Sequence, residues 1–193
     1  MFKSLKGRIV SLWDTDGGEK ILSMPAHLSD VTALQFKSDN TAIGSGDANG
    51  ILKIWDLREG RLQRNFDGHR LKVNSVDFHP NHETSICATG SAEGRTKLWD
   101  IRRKGFYTTF GIKGGAPVNV VQFSPDGRLC AIGDEDGLKI WDLVDTKARG
   151  AFRKLSISIN LYVPLTKGPS TVLIVVEVQV CSVSSTRVAT SCY

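Results

Sequence analysis

The sequence predicts an all-β fold built from repeated four-stranded antiparallel sheets, and two recurring patterns support this prediction. Four short segments that contain a Trp-Asp pair occur along the 193-residue chain, at 11–15, 53–57, 97–101 and 139–143. Between them lie three segments that alternate in polarity, at 31–36, 73–78 and 118–123. Such alternation is typical of half-buried strands, because successive side chains of a strand point to opposite faces of its sheet.

The spacing of the tryptophans defines the repeat. Trp13, Trp55, Trp99 and Trp141 are separated by 42, 44 and 42 residues. Periods of about 40–45 residues are typical of proteins whose sheets stack as repeats. A single four-stranded sheet cannot bury both faces, so neighbouring repeats are expected to cover one another around an axis.

Each repeat is predicted to contain four strands in meander order. The first is the alternating segment, and the second is rich in small residues, at 41–46, 86–91 and 129–134. The third carries the Trp-Asp pair, and the fourth is more polar, at 61–66, 106–110 and 148–152. Small residues let adjacent sheets approach closely. Tryptophan supplies a large apolar surface, and its indole N–H requires a buried acceptor.

These residues carry the signature of the WD-repeat β-propeller family, and the resemblance covers about residues 1–152. It implies a partial propeller of about three and a half four-stranded blades. We call them the half-blade (5–24), blade 1 (27–66), blade 2 (69–110) and blade 3 (116–152). Residues 153–193 depart from the pattern and are predicted to form a divergent, β-prone, poorly ordered tail. Two interpretations of this tail stay open: a sequence foreign to the family, or strands that complete a fourth blade with the N-terminal strands.

The resemblance also implies a hydrogen-bonded network in each blade. It joins a Gly-His pair, a hydroxyl residue on the second strand, an acid in the following turn, and the tryptophan. Blade 1 offers His27 with Ser45 and either Asp47 or Asn49, and blade 2 offers His69 with Thr89 or Ser91. Blade 3 has glycine where histidine is expected, so its network is predicted to be broken. The residues assigned a structural rather than a catalytic role are Trp13, Trp55, Trp99, Trp141, His27, His69, Ser91 and Glu93.

Blade 2 carries a narrower resemblance. The segments VNSVDFHP at 73–80 and GSAEGRTKLWDIRRKG at 90–105 are similar to parts of the WD-repeat regulatory subunits of katanin, a microtubule-severing enzyme. This resemblance implies a non-enzymatic regulatory and targeting subunit. Its implied partners are microtubules or tubulin and the katanin catalytic ATPase. The implied location is the cytoplasm, on the cytoskeleton, a centrosome or a spindle pole.

Charge and motif content argue against several function classes. Residues 1–150 hold 21 basic and 19 acidic side chains, so no nucleic-acid partner is expected. The longest apolar stretch, 172–176, is far shorter than the roughly 20 residues of a membrane span. The four cysteines form no CxxC pair and are interpreted as reduced thiols. Because no phosphate-binding or hydrolase motif occurs, neither enzymatic activity nor a cofactor is expected.

A further motif, HPNH, places His79 and His82 close together, but no third ligand lies nearby in the sequence. Two histidines alone are a weak metal signal, since zinc sites use at least three protein ligands. We interpret this motif as a turn between strands, and no metal site is expected.

Partner-binding residues are expected in the turns that follow each Trp-Asp pair, because binding residues concentrate on loops held by a rigid scaffold. Arg102-Arg103-Lys104 is the densest positive cluster before residue 150 and suits an acidic partner such as a tubulin tail. A solvated turn is the alternative interpretation. Residues 55–58 and 99–102 also match the WDxR box through which WD-repeat substrate receptors dock onto the adaptor of cullin-RING ubiquitin ligases. The candidate partner-binding residues are Arg58, Arg102, Arg103 and Lys104.

Overall fold

A computed structural model describes residues 7–81, 83–103, 106–110, 115–143, 153–156 and 181–182. Within these ranges the chain forms fifteen strands and no helix, so the predicted all-β class is confirmed. No helix long and apolar enough to cross a membrane occurs in the described part of the chain.

Strands follow one another along the chain and pair with their sequence neighbours. The half-blade contains β1 (Ile9–Trp13) and β2 (Lys20–Pro25) in a two-stranded antiparallel sheet. Blade 1 contains β3 (Val31–Phe36), β4 (Ala42–Asp47), β5 (Ile51–Asp56) and β6 (Arg61–Asp67). Blade 2 contains β7 (Val73–Phe78), β8 (Ile86–Ser91), β9 (Thr96–Asp100) and β10 (Phe106–Phe110). Each is an antiparallel meander of the kind that the repeat predicts.

Blade 3 departs from this pattern in its outer strands. It contains β11 (Val118–Phe123), β12 (Leu129–Asp134), β13 (Gly137–Asp142), β14 (Arg153–Ser156) and β15 (Cys181–Ser182), paired in that order. The prediction placed the fourth strand at 148–152, which lies outside the described residues. In the structure the strand that pairs with β13 begins at Arg153, with Ile140 opposite Leu155.

The displaced fourth strand has a physical reason in the length of the connection. In blade 1 only residues 57–60 separate the third strand from the fourth, whereas residues 143–152 lie between β13 and β14. Residues 153–156 and 181–182, which the sequence assigned to the tail, therefore belong to the sheet of blade 3. The rest of the tail, and with it the proposed pairing with the N-terminal strands, lies outside the described residues.

The apolar core is divided among the interfaces between successive sheets. Between the half-blade and blade 1, Val10 and Met24 pack with Trp55. The interface between blades 1 and 2 and the interface between blades 2 and 3 each hold a buried apolar cluster as well. Between blades 1 and 2 the buried cluster includes Leu52, Ile54, Phe66, Val76, Phe78 and Trp99, and between blades 2 and 3 it includes Ala88, Leu98, Val118, Val121 and Ile132. Each sheet thus buries apolar surface against its neighbours, as expected for stacked repeats.

Glycines on the second strands permit the close approach of these sheets. A Cβ atom on Gly46 would lie 2.5 Å from Cγ1 of Val73 in blade 2. The equivalent atom on Gly90 would lie 2.4 Å from Cγ1 of Val118 in blade 3. Both distances are far below van der Waals contact, so the first-strand valine of one blade occupies the space that a side chain on the preceding blade would need.

Candidate functional site

The polar network of blade 1 links three elements through two buried side chains. Trp55 Nε1 on β5 donates to Ser45 Oγ on β4 at 2.9 Å. Ser45 Oγ lies 2.7 Å from Nε2 of His27, in the segment that precedes β3. The other ring nitrogen of His27 lies 3.0 Å from Oδ2 of Asp47. These contacts connect the tryptophan to an acid through a hydroxyl and an imidazole.

Asp47, rather than Asn49, is the acid of this blade. Its Oδ2 contacts the imidazole, while its Oδ1 accepts hydrogen bonds from the backbone N–H groups of Asn49 and Ile51. One carboxylate therefore holds both the histidine and the turn between β4 and β5. Such a turn suits aspartate, whose short side chain reaches the N–H groups that follow it.

Blade 2 forms the same network, but the hydroxyl comes from Thr89 and not from Ser91. Trp99 Nε1 donates to Thr89 Oγ1 at 2.7 Å, and Nε2 of His69 lies 2.6 Å from the same oxygen. Of the two alternatives that the sequence offers, the structure selects Thr89, and Ser91, which was also assigned to the network, lies outside it. Ser91 Oγ instead donates to the carbonyl of Leu71 at 3.0 Å and accepts from the N–H of Glu93.

The acid of blade 2 is Glu93, whose Oε1 lies 2.7 Å from Nδ1 of His69. Asp47 ends strand β4, whereas Glu93 follows strand β8 by two residues. The longer glutamate side chain spans the additional distance back to the ring. Ser91, at the register position of Asp47, supports the turn instead.

Burial sets the protonation of both histidines. Desolvation lowers the pKa of His27 and of His69 below the ordinary value of 6.5, although the nearby Asp47 and Glu93 act in the opposite direction. Neutral imidazoles fit the contacts: the ring N–H donates to the carboxylate, and the second nitrogen accepts from the hydroxyl. Both histidine side chains are fully buried between their hydroxyl and carboxylate partners, as the predicted structural role requires.

Blade 3 replaces the network with different chemistry. Ile132 occupies the β12 position of the hydroxyl, opposite Val121 in the same register as Thr89 opposite Val76. Asp134 is retained at the end of β12, where it forms an ion pair with Lys139. The equivalent lysines of blades 1 and 2, Lys53 and Lys97, donate instead to main-chain carbonyls.

The arginines after the Trp-Asp pairs differ in their surroundings. Arg102 donates from Nε to Ser85 Oγ at 2.8 Å and from Nη2 to the carbonyl of Glu83 at 2.6 Å. Arg58 is exposed, and the side chain of Arg103 is 81% exposed with one ion-pair contact, 3.5 Å from Asp100. The third member of the predicted cluster, Lys104, lies outside the described residues. The structure thus places Arg58, Arg102 and Arg103 on the surface, and hydrogen bonds hold the Arg102 side chain against the neighbouring turn.

His79 joins two blades through its ring. Its Nε2 lies 3.0 Å from the carbonyl of Gly127 in blade 3, and its Nδ1 lies 2.7 Å from Oγ1 of Thr84. The ring also packs edge-on against Phe123 at 5.3 Å between centroids. His82 lies outside the described residues. In the part of the chain that the structure describes, no three His, Cys, Asp or Glu side chains cluster as metal ligands.

The stacked sheets and their Trp-centred networks define the class of protein. A family model described as WD domain, G-beta repeat (WD40) matches residues 18–56, 60–100 and 107–142. These matches cover more than half of the chain, which therefore belongs to the WD40 repeat family.

Relatives of this chain have different names and carry out different roles. It is 29% identical over 133 residues to angio-associated migratory cell protein of Homo sapiens, covering 68% of this chain and 29% of that protein. It is 29% identical over 147 residues to autophagy-related protein 16 of Arabidopsis thaliana, with coverage of 74% and 28%. It is 31% identical over 124 residues to small ribosomal subunit protein RACK1 of Caenorhabditis elegans, with coverage of 63% and 37%. The chain thus spans about a third of the length of these relatives.

Proposed function

We propose that this chain is a non-enzymatic protein-interaction scaffold with a katanin-like regulatory and targeting role on the microtubule cytoskeleton. Its membership of the WD40 family supports the scaffold role. The blade 2 segments 73–80 and 90–105 support the narrower role, and the three relatives described above are not katanin subunits. On this proposal the protein acts in the cytoplasm, with an acidic tubulin tail as partner and the katanin catalytic ATPase in the same assembly.

The observation that carries this proposal is the pair of exposed arginines in corresponding turns of adjacent blades. Arg58 follows β5 and Arg103 follows β9, so both lie at the same edge of the stacked sheets. Asp56 Oδ1 accepts the N–H groups of Arg58 and Glu59, and Asp100 Oδ1 accepts that of Arg102. Asp100 Oδ2 lies 3.5 Å from Nε of Arg103, whose side chain is still 81% exposed. Both Arg58 and Arg103 therefore present guanidinium groups to an acidic chain.

Microtubule co-sedimentation tests the proposal. The double variant Arg58→Ala/Arg103→Ala is expected to weaken binding roughly two- to thirtyfold, because two exposed charge pairs contribute about 0.2–1 kcal/mol each. The matched control is Arg70→Ala, which removes an exposed arginine from the turn before β7, at the opposite edge of the sheets. Binding should also weaken as salt is raised. Equal binding by the double variant and the control would contradict the proposal.

A cullin-RING substrate receptor is the second candidate function. One observation favours Arg58 as the residue that would dock onto the adaptor. Arg58 and Arg102 of the two WDxR boxes are both exposed, but the guanidinium of Arg102 already donates to Ser85 and Glu83. An adaptor would therefore be recognised through Arg58. In a pull-down with the purified adaptor, Arg58→Ala should abolish recovery and Arg102→Ala should leave it unchanged. Unchanged recovery with Arg58→Ala removes this candidate.

A further inference from the structure

We propose that a cavity between blades 2 and 3 binds an imidazole-type ring, that is, a flat five-membered nitrogen heterocycle with an N–H donor. The cavity has a volume of about 190 Å³. Its lining includes Thr96, Val118, Ile132, Asp134, Lys139 and Trp141. This site is distinct from the arginine surface proposed to bind partners, so the two proposals can fail separately.

The two preceding blades show what this space accommodates. In blade 2 the residues at the equivalent strand positions, among them Thr89, Lys97 and Trp99, surround the imidazole of His69. The ring lies edge-on to the Trp99 indole, with centroids 5.9 Å apart. In blade 1 the imidazole of His27 has the corresponding partners, Ser45 and Asp47.

Backbone contacts place a glycine where blade 3 would carry this histidine. A Cβ on Gly50, in the turn of blade 1, would lie 2.4 Å from the carbonyl oxygen of His69. A Cβ on Gly94, in the same turn of blade 2, would lie 2.4 Å from the carbonyl oxygen of Gly115. Gly115 therefore takes the position of His69 against the preceding blade. It supplies no ring, and it lines the cavity.

Blade 3 keeps an acid, Asp134, at the position where blade 1 has Asp47. Asp134 lies opposite Val118, in the register that Asp47 has opposite Val31. Its side chain is only 6% exposed and pairs with Lys139. Lys139 also lies 3.7 Å from Asp136, which lines the same cavity, so the charge around the site is net negative. Both the neutral and the protonated ring carry an N–H that suits it. A ring N–H would donate to the carboxylate, as the N–H of His27 does to Asp47.

Size and surface also fit a small ring. An apolar cavity of roughly 150 Å³ is large enough to bind benzene, so about 190 Å³ accommodates a five-membered ring. Ile132 and Trp141 offer apolar faces on which the ring can pack. Since Ile132 replaces the hydroxyl of the other blades, the N–H···carboxylate bond would be the contact that the ligand shares with the histidines of those blades. The ring can come from a free small molecule or from the histidine side chain of a partner.

The experiment is a titration of the untagged full chain with imidazole at about pH 8, where an imidazole with an ordinary pKa is neutral. Binding is followed through the indole N–H signal of Trp141 in ¹H–¹⁵N spectra. We expect a saturable shift of this signal. 1-Methylimidazole, which in its neutral form lacks the N–H donor, should bind about tenfold more weakly. N-acetylhistidinamide forms a second arm: saturation by it indicates that a partner's histidine can enter, and saturation by imidazole alone indicates a free small molecule.

Two variants test the assigned residues. Asp134→Asn should weaken imidazole binding about tenfold, whereas Asp126→Asn, at an exposed turn of the same blade, should leave it unchanged. Gly115→His supplies its own ring and should abolish saturable binding. The ligand comparison on the unaltered chain keeps the proposal testable if a variant does not fold. Equal affinity for imidazole and 1-methylimidazole, or the absence of a saturable shift at Trp141, would overturn the proposal.

Discussion

Single hydroxyl groups connect the tryptophans to the rest of each network. Thr89 Oγ1 accepts from Trp99 and contacts His69, so one buried oxygen serves two buried polar groups. Both the threonine and the histidine are almost fully buried. Removal of this oxygen would leave two ring nitrogens without their partner, and water has little access to replace it.

Thr89→Val tests this role because valine keeps the shape of threonine and removes the oxygen. The expected loss in the free energy of unfolding is about 2–6 kcal/mol, since two buried polar groups lose their partner and each costs roughly 1–3 kcal/mol. Urea unfolding followed by tryptophan fluorescence measures it. Thr89→Ser retains the hydroxyl and is the matched control. A valine variant as stable as the serine variant would show that the oxygen is dispensable.

The buried histidines also predict a pH dependence of stability. The pKa of His27 and of His69 is lowered by burial, so the unfolded chain binds protons more readily than the folded chain below about pH 6.5. The free energy of unfolding should therefore fall as the pH drops from about 7.5 through 6.5. His69→Gln should reduce the slope of the free energy of unfolding against pH, and the contribution of His27 to that slope should remain. Urea midpoints at a series of pH values measure it, and an unchanged slope in the variant would contradict the assignment.

The sequence predicts most of these residues, and one misassignment has an identifiable cause. Thr89 and Ser91 both lie on β8 and point to the same face, because they are two residues apart. The resemblance alone does not choose between them. The distance to the tryptophan does: Ser45 precedes Trp55 by ten residues, and Thr89 precedes Trp99 by ten. The ion pair of Asp134 with Lys139 was not predicted, because the sequence indicates that blade 3 lacks the histidine but not which side chain contacts the acid instead.

The strands of this chain differ in how well the sequence pattern predicts their bounds. The first strands β3, β7 and β11 have the residue bounds that the alternating pattern predicts. Alternation fixes these elements because each has one face against a neighbouring blade. Strand β14 was not predicted at its observed position, since a long connection precedes it and no periodic pattern marks where pairing with β13 resumes.

A pair of glycine substitutions tests the close contact between the sheets of blades 2 and 3. Gly90→Ala on β8 would place a methyl group 2.4 Å from Val118, and the expected destabilisation is about 1–3 kcal/mol. Gly133→Ala on β12 is the control, since the nearest atom, in Val120, would be 3.6 Å from its Cβ. That distance is an ordinary contact, so the control should change stability little. Thermal unfolding of both variants measures the difference, and equal losses would contradict the stacking described for blades 2 and 3.

At the scale of the whole molecule, stability is distributed over the interfaces between sheets. Trp55 packs toward the half-blade, and Trp99 packs toward blade 1, where its ring centroid lies 5.1 Å from that of Phe66. In such repeats each unit depends on its neighbours. The sequence predicts this architecture because the Trp-Asp period is regular. It does not predict the partner of the proposed scaffold, because packing does not constrain the sequences of exposed turns such as those of Arg58 and Arg103.

The central claim is that tryptophans seal the gaps between stacked sheets and donate to buried hydroxyls. Trp55 is 6% exposed and Trp99 is 1% exposed, whereas Trp13 is only half-buried. Hydrogen exchange of the indole N–H groups, resolved in ¹H–¹⁵N spectra, tests this claim most directly. The account predicts that the indoles of Trp55 and Trp99 exchange far more slowly than that of Trp13. Equally fast exchange at all three positions would contradict it.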